Sequence, residues 1–317
     1  MFDGTGAALI AEPAVLVDDD RIIGVFSAGS SGGGSPPPVG TTVIDLPGCT
    51  LLPGLIDTHV HLAFDAGPDP VGALAARSDD AVVAAMIDAG RSALRGGVTT
   101  VRDLGDRDYL SLGLRGRADL PTIVASGPPI TTRQGHCHYL GGGIEPTEPA
   151  MRRAVAEHAD RGVDVVKVMA SGGTLTPGTY QHLPQFDGPL LRVAVDEAHR
   201  RGLPLTAHAH AVTAVLDAVA AGADGVEHCS FWTEDGVAAP SNEQLDALKR
   251  SGIVVGATVG MVPFPGAQPP AAVLRRMPGR IAAGYDADLL AVDGDPLQDP
   301  AALGRVRQVL VRGRLVT

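Results

Sequence analysis

The sequence predicts an α/β protein: a TIM-like (β/α) barrel of parallel strands, seven of them identifiable, with a small β module made from both chain ends. Three observations predict it. Between residues 55 and 279, apolar strand-like runs alternate seven times with amphipathic helical segments, the pattern of a parallel sheet covered by helices. The two ends, 1–54 and 280–317, carry short strand-like runs instead. A length of 317 residues accommodates one barrel and a small accessory unit.

In chain order, AVLVDDD, RIIGVF and TVIDL read as strands of the N-terminal part, with SSGGGSPPPVG as a loop between the last two. The barrel strands fall at residues 55–62 (LIDTHVHL), 99–104 (TTVRDL), 122–127 (TIVASG), 163–171 (VDVVKVMAS), 204–210 (PLTAHAH), 225–229 (GVEHC) and 253–259 (IVVGATV). Between them, DDAVVAAMIDAGRSALRGG and GPLLRVAVDEAHRRG show three- and four-residue apolar spacing closed by glycine, the mark of amphipathic helices. Seven consecutive units favour a closed barrel over an open doubly wound sheet. No GxGxxG or P-loop follows a strand, which lowers the nucleotide-binding alternatives. ADLLAVDGDP and VRQVLVRGRLV then return to short strands, so the two ends are expected to form one small β-sandwich.

Composition narrows the function. With 44% hydrophobic and 19% charged residues, the chain reads as an ordinary globular protein with a sizeable core. A formal charge of −11 and a pI near 5.3 argue against nucleic acid or an anionic membrane as partner, because no basic field would steer either. No apolar run reaches the roughly 18 residues of a membrane span, and MFDGTGAALIAEP lacks a secretory signal's basic start and apolar core. Cys49, Cys137 and Cys229 are odd in number and scattered, which disfavours a disulfide framework. A cytoplasmic protein is expected, with homo-oligomerisation left open.

His59 and His61 lie two apart on the first barrel strand, so both face the barrel interior near the strand's C-terminal end, where barrel active sites sit. His208 and His210 repeat the spacing on the fifth strand, and His228 ends the sixth. Three strands ending in histidine and aimed at one mouth are hard to explain as packing. His210 taken singly is as compatible with a satisfied core histidine as with a ligand. Of the chain's 25 basic residues, all but Lys167 and Lys249 are arginine. Lys249 sits in LDALKRSG, a solvated helix; Lys167 sits late in the fourth barrel strand. There it is either a structural ion pair or a neutral amine that takes up CO₂ and becomes a carbamate, which a permanently protonated guanidinium cannot do.

GLIDTHVHL, KVMASGG, TAHAHA, GVEHC and GRIAAGYDADLLAVDGDP together resemble the amidohydrolase superfamily, most closely its imidazolonepropionase-like branch with the Xaa-Pro dipeptidases (prolidases). The resemblance covers nearly the whole chain. It implies a barrel of the metal-dependent hydrolase type and a binuclear zinc centre. His59 and His61 would hold one ion, His208 and His228 the other, with carboxylated Lys167 between them. It implies hydrolysis of a C–N bond, in an amide, an Xaa-Pro dipeptide or a cyclic amide, by a metal-bridging hydroxide. The segment RQGHCHYLGG resembles a substrate-facing loop, making His136, His138 and Tyr139 candidates for substrate contact. Tyr180 and Arg133 are further candidates for binding a carboxylate.

One expected part is missing. The family places an aspartate, ligand and general base, at the end of an eighth strand. Here MVPFPGAQPPAAVLRRM reads as the opening of the seventh helix and GRIAAGYDADLLAVDGDP follows at once. A βα unit needs about 30 residues, and none are left between Met277 and Gly279. Asp286 belongs to the returning β module's signature and is not read as the missing base. The first sandwich strand that the resemblance places before FDGTG is also absent. Two alternatives therefore stand beside a working hydrolase: a catalytically impaired or inactive metal-binding relative, and a deaminase of the same superfamily, which the fourth-strand lysine disfavours.

Overall fold

A computed structural model describes residues 1–5, 7–27, 39–65, 67–258 and 281–316. Residues 30–38 of the expected loop at 30–40, the seventh helix's opening and the Met277–Gly279 junction lie outside the described residues.

The N-terminal part forms β1 (Pro13–Asp18) and β2 (Arg21–Ser27), an antiparallel ribbon, followed by β3 (Cys49–Pro53). The third strand expected here, TVIDL, is irregular; the strand comes later, in CTLLP. The reason is non-local. CTLLP pairs antiparallel with β14 (Leu289–Asp293) from the other chain end, Leu52 opposite Leu290, and no local signal marks that register. With β15 (Val306–Val311) and β16 (Arg314–Leu315) these make a four-stranded sheet ordered β16-β15-β14-β3. One side of the sheet packs Leu289 with Ile22 of the ribbon; the other buries Leu290, Val292 and Val309 with Leu52.

The barrel strands follow as β4 (Leu55–Val60), β5 (Val98–Asp103) and β6 (Thr122–Ala125), then β9 (Val166–Met169), β10 (Leu205–Ala211), β11 (Gly225–Thr233) and β13 (Val254–Gly256). All neighbouring pairs run parallel, β4-β5-β6 in one sheet and β9-β10-β11-β13 in the other. The two sheets join through Asp164 N–H donating to Ala125 O at 2.9 Å and a parallel bridge between Ile130 and Val168. The short pairs β7 (Thr131–Thr132) with β8 (Gly143–Ile144), and β12 (Gly236–Val237) with β11, are loop decorations.

Helices cover the outside: α1 (Pro70–Ala75), α2 (Asp79–Arg95), α3 (Glu148–Arg161), α4 (Gly188–Arg200), α5 (Val212–Ala221) and α6 (Asn242–Ser251). The glycines expected to close two of them stand at the ends of α2 (Gly96) and, one residue past the C-cap, α4 (Gly202). Ser78 and Asp187 cap α2 and α4 with side-chain oxygens, and Gly162 and Gly222 end α3 and α5 at φ 80° and 77°, where a β-carbon is costly. The α6 helix buries no side chain, which places Lys249 in solvent as expected.

Among the described residues no strand lies between β13 and β4, so the barrel is not closed there. Val254 and Val255 on β13 are 65% and 45% exposed. No described helix is long and apolar enough to cross a membrane, and Cys49, Cys137 and Cys229 are all free.

Candidate metal centre

The C-terminal ends of β4, β9, β10 and β11 bring their special residues to one mouth. The ring centroids run His61–His59 at 5.3 Å, His59–His228 at 5.1 Å, His228–His208 at 4.6 Å and His208–His210 at 4.6 Å. The ligand nitrogens of His208, His210 and His228 all lie within 4.8 Å of one another. So the five histidines picked out on these strands form one continuous group.

Each histidine has one ring nitrogen committed to an oxygen. His59 Nδ1 donates to Glu227 Oε2 at 2.8 Å, His61 Nδ1 to Gly105 O at 2.9 Å, and His208 Nε2 to Gly172 O at 3.1 Å. His210 Nδ1 meets Ser230 Oγ at 2.7 Å, and His228 Nδ1 meets Thr258 Oγ1 at 2.8 Å. A carbonyl or carboxylate partner fixes the tautomer, leaving the opposite nitrogen with its lone pair. That arrangement, an outer oxygen holding the ring and an inner nitrogen uncommitted, is how proteins orient metal-binding histidines. Burial first, then neighbouring positive groups including Lys167, lower His61 to about 3, His210 to about 4 and His228 to about 2. The rings are thus neutral, the form in which imidazole binds metal.

Lys167 stands on β9 with 0% exposure, its Nζ has no hydrogen-bond partner, and its charge acts on His59, His61, His208, His210 and His228. A buried ammonium without a partner is costly, and burial, against the pull of Glu227, brings Lys167 down to about 8. Neutral lone pairs facing an orphaned buried amine fit a divalent metal and fit poorly the reading of these side chains as packing.

Glu227 is the residue the sequence reading passed over. It is 1% exposed and accepts from His59, from Arg102 Nη2 at 2.8 Å and from Thr206 Oγ1 at 2.8 Å. Arg102 also donates through Nε to Thr58 O at 2.7 Å, so one network ties β11, β10, β5 and β4 together. Burial disfavours the Glu227 charge, but the His59 hydrogen bond, Lys167 and Arg102 outweigh it and hold the carboxyl at about 2. Strand alternation would send Glu227 to the face opposite His228. Both reach the mouth because β11 breaks its regular conformation there, with φ of 68° at His228, 50° at Cys229 and 54° at Phe231.

The other candidates separate. His136 is 4% exposed, its ring lies 4.8 Å from that of His208, and its Nδ1 has no partner. A β-carbon on Gly173 would fall 2.4 Å from His136 Nε2, so glycine there makes the approach possible. His138 donates from Nδ1 to Gly135 O, and Tyr139 is separated from His61 by Phe64, at 6.4 and 5.5 Å between successive rings. Tyr180 is 55% exposed and faces His182, although its backbone presses on Gly172. Arg133 is paired with Glu145. Asp286 pairs with Arg21 at 2.6 Å in the terminal β unit, away from the histidines.

The amidohydrolase family model matches residues 50–241, a span running from β3 through β11 and containing every candidate ligand. The chain belongs to the amidohydrolase family. Among its relatives is the ochratoxinase of Aspergillus niger, 28% identical over 278 residues, 78% of this chain and 55% of that protein. Another is the imidazolonepropionase of Salinispora arenicola, 29% identical over 287 residues, 80% of this chain and 63% of the relative. This amidohydrolase thus spans about half to two thirds of the length of the curated relatives it matches. Among solved structures, an Xaa-Pro dipeptidase with methionine in its active site superposes with a TM-score of 0.81 at 22% identity, over 99% of this chain and 97% of that one. Phenylurea hydrolase B follows with a TM-score of 0.79 at 20% identity, over 99% and 94%, and A. niger ochratoxinase with 0.75 at 21%, over 99% and 93%. These likenesses show the TIM-barrel amidohydrolase fold.

Proposed function

We propose that the chain is a metal-dependent hydrolase of C–N bonds in an amide, an Xaa-Pro dipeptide or a cyclic amide. The observation that carries this reading is the convergence of neutral histidines from three strands around Lys167, whose buried amine has no partner. Two zinc ions are the proposed cofactor, one held by His59 and His61, the other by His208 and His228, with carboxylated Lys167 between them. When bound, such ions supply Lewis acidity, lowering the pKa of water and polarising a carbonyl.

The chain's own residues do the rest. Lys167, brought down to about 8, reaches the neutral amine form far more readily than an ordinary lysine. That neutral amine adds to the carbon of CO₂, an N–C bond forms, the nitrogen gives up one proton, and the neutral amine becomes an anionic carbamate. Glu227 holds the His59 ring so that its Nε2 faces the mouth. His136, buried beside His208, is proposed to donate to a substrate carbonyl or carboxylate, with His138, Tyr139 and Tyr180 proposed as more distant substrate contacts. We assign residues 55–279 to the catalytic barrel and 1–54 with 280–317 to the terminal β module, in a cytoplasmic protein.

Metal analysis together with hydrolysis of an Xaa-Pro dipeptide, a phenylurea and a cyclic amide tests the reading. Two zinc ions per chain and turnover of one of these, lost in Lys167→Ala, are expected. A chain that holds metal without turning over any of them is instead the impaired relative. Release of ammonia in place of amide cleavage would mark the deaminase.

A further inference from the structure

Among the described residues, His208, His210 and His228 on β10 and β11 bring one ring nitrogen each within 4.8 Å of one another, a grouping that does not include His59 or His61. We infer that His208, His210 and His228 form a complete three-histidine site that holds one divalent transition-metal ion without help from Lys167, His59 or His61. The inference rests on the metal-dependent reading above and says which side of that centre holds its own ion.

The backbone supplies the first argument. Along β10 and β11, Ala209 pairs with His228, and the next pair is Ala211 with Trp232. One residue of β10, His210, therefore stands opposite three of β11, Cys229, Ser230 and Phe231. This is a bulge, a device that re-aims side chains, and it coincides with the left-handed φ values at His228, Cys229 and Phe231. Such conformations are costly for residues other than glycine. Their result is that His228 turns toward β10 and Ser230 Oγ reaches His210 Nδ1 at 2.7 Å.

The ring nitrogens supply the second. His208 gives its Nε2 proton to Gly172 O, while His210 and His228 keep Nδ1 on the hydroxyls of Ser230 and Thr258. That leaves His208 Nδ1, His210 Nε2 and His228 Nε2 uncommitted; one ring nitrogen from each of the three residues lies within 4.8 Å of the other two. A tetrahedral ion with bonds of about 2.0–2.1 Å sets its donors about 3.4 Å apart, a contraction small side-chain rotations provide. Three protein ligands and an open fourth position is the composition of catalytic zinc sites. His210 thus gives this chain a third donor that does not depend on an eighth strand.

The test uses the full chain stripped with a chelator and titrated with Co²⁺, read by visible d–d absorption and by metal content. The parent and Lys167→Met are expected to bind a first Co²⁺ with the same affinity and the same four-coordinate spectrum. His210→Ala should weaken that ion by about a hundredfold or more, and Ser230→Ala, which only frees the ring, by about ten- to a hundredfold. His210→Gln and an unfolding curve for each variant separate lost ligation from lost folding. The inference is overturned if folded His210→Ala or His210→Gln binds the first Co²⁺ as the parent does, if folded Lys167→Met loses it, or if the parent binds none. Co²⁺ held through His210 in a chain that turns over no C–N substrate would sink the hydrolase reading and leave the site standing.

Discussion

The β9–β10–β11 half of the barrel and the β13–β4 edge hold the same kinds of ligand by different means. On β10 every residue but His210 is buried, and the strand lies in a cluster that includes Leu205, Val166, Val226 and the inner faces of α4 and α5. On β4, Asp57 and Thr58 are exposed, and across the gap β13 shows two of its three residues to solvent. The histidines of the first half stand on strands buried in that cluster, their rings held locally on Gly172 O, Ser230 Oγ and Thr258 Oγ1. Those of the second are placed by a polar network, with Glu227 and Arg102 reaching from the packed strands to His59 and Thr58. The difference teaches that, among the described residues, the Glu227–Arg102 ion pair links β11 to β5 and, through His59 and Thr58, to β4.

Removing that ion pair is the strongest way to break the comparison. Glu227→Ala leaves Arg102 and His59 without their buried acceptor, and truncating one partner of such a pair costs about 3–5 kcal/mol. Denaturant unfolding of the metal-free chain should show this loss. A loss below about 1 kcal/mol would mean that the β4 side is held by something other than Glu227. The packed half has its own probe in Leu205, 1% exposed. Leu205→Ala should cost about 2–5 kcal/mol, by the same measurement, while leaving the His59–Glu227 contact untouched.

Much of this was legible in the sequence, and the reasons are local. His59, His61, His208 and His210 declare themselves because strand alternation forces residues two apart onto one face. The helices are legible from spacing and caps, as in α2 and α4. Glu227 was not, because alternation puts it opposite His228, and only the irregular backbone of β11 places both at the mouth. The strand at CTLLP was missed because its partner lies more than 230 residues away in the chain, beyond any local pattern. Whether a ring nitrogen is committed, as for His210 and Ser230, depends on a bulge no spacing rule reveals.

A smaller effect tests the β4–β5 side at Asp103, which is 1% exposed and accepts from the N–H groups of Leu62 and Gly105, the latter's carbonyl holding His61. Burial, then the Asp106 carboxyl, push Asp103 well above the ordinary carboxylate range. The folded chain therefore keeps a proton that the unfolded chain releases near pH 4. Stability is accordingly greatest below that pH as far as this group is concerned and falls as pH rises toward the folded value, by up to about 1.4 kcal/mol per pH unit. Asp103→Asn, always neutral, should flatten that slope between pH 5 and 7 in chelated protein, whatever constant loss its amide incurs at Leu62. Parallel pH–stability curves for parent and variant would show that the carboxyl titrates normally.

The smallest effect probes the edge itself. Val254 lies on β13, pairs only toward β11 among the described strands, and is 65% exposed. If that face is open to water, Val254→Ala removes little buried surface and should change stability by about 0.5 kcal/mol or less, as surface substitutions do. An uncovered strand edge also invites pairing with another chain, so Val254→Lys should leave stability alike while lowering any self-association seen in sedimentation. A cost above about 2 kcal/mol for Val254→Ala would mean that something covers β13, and the gap that separates the two halves would not be a gap at all.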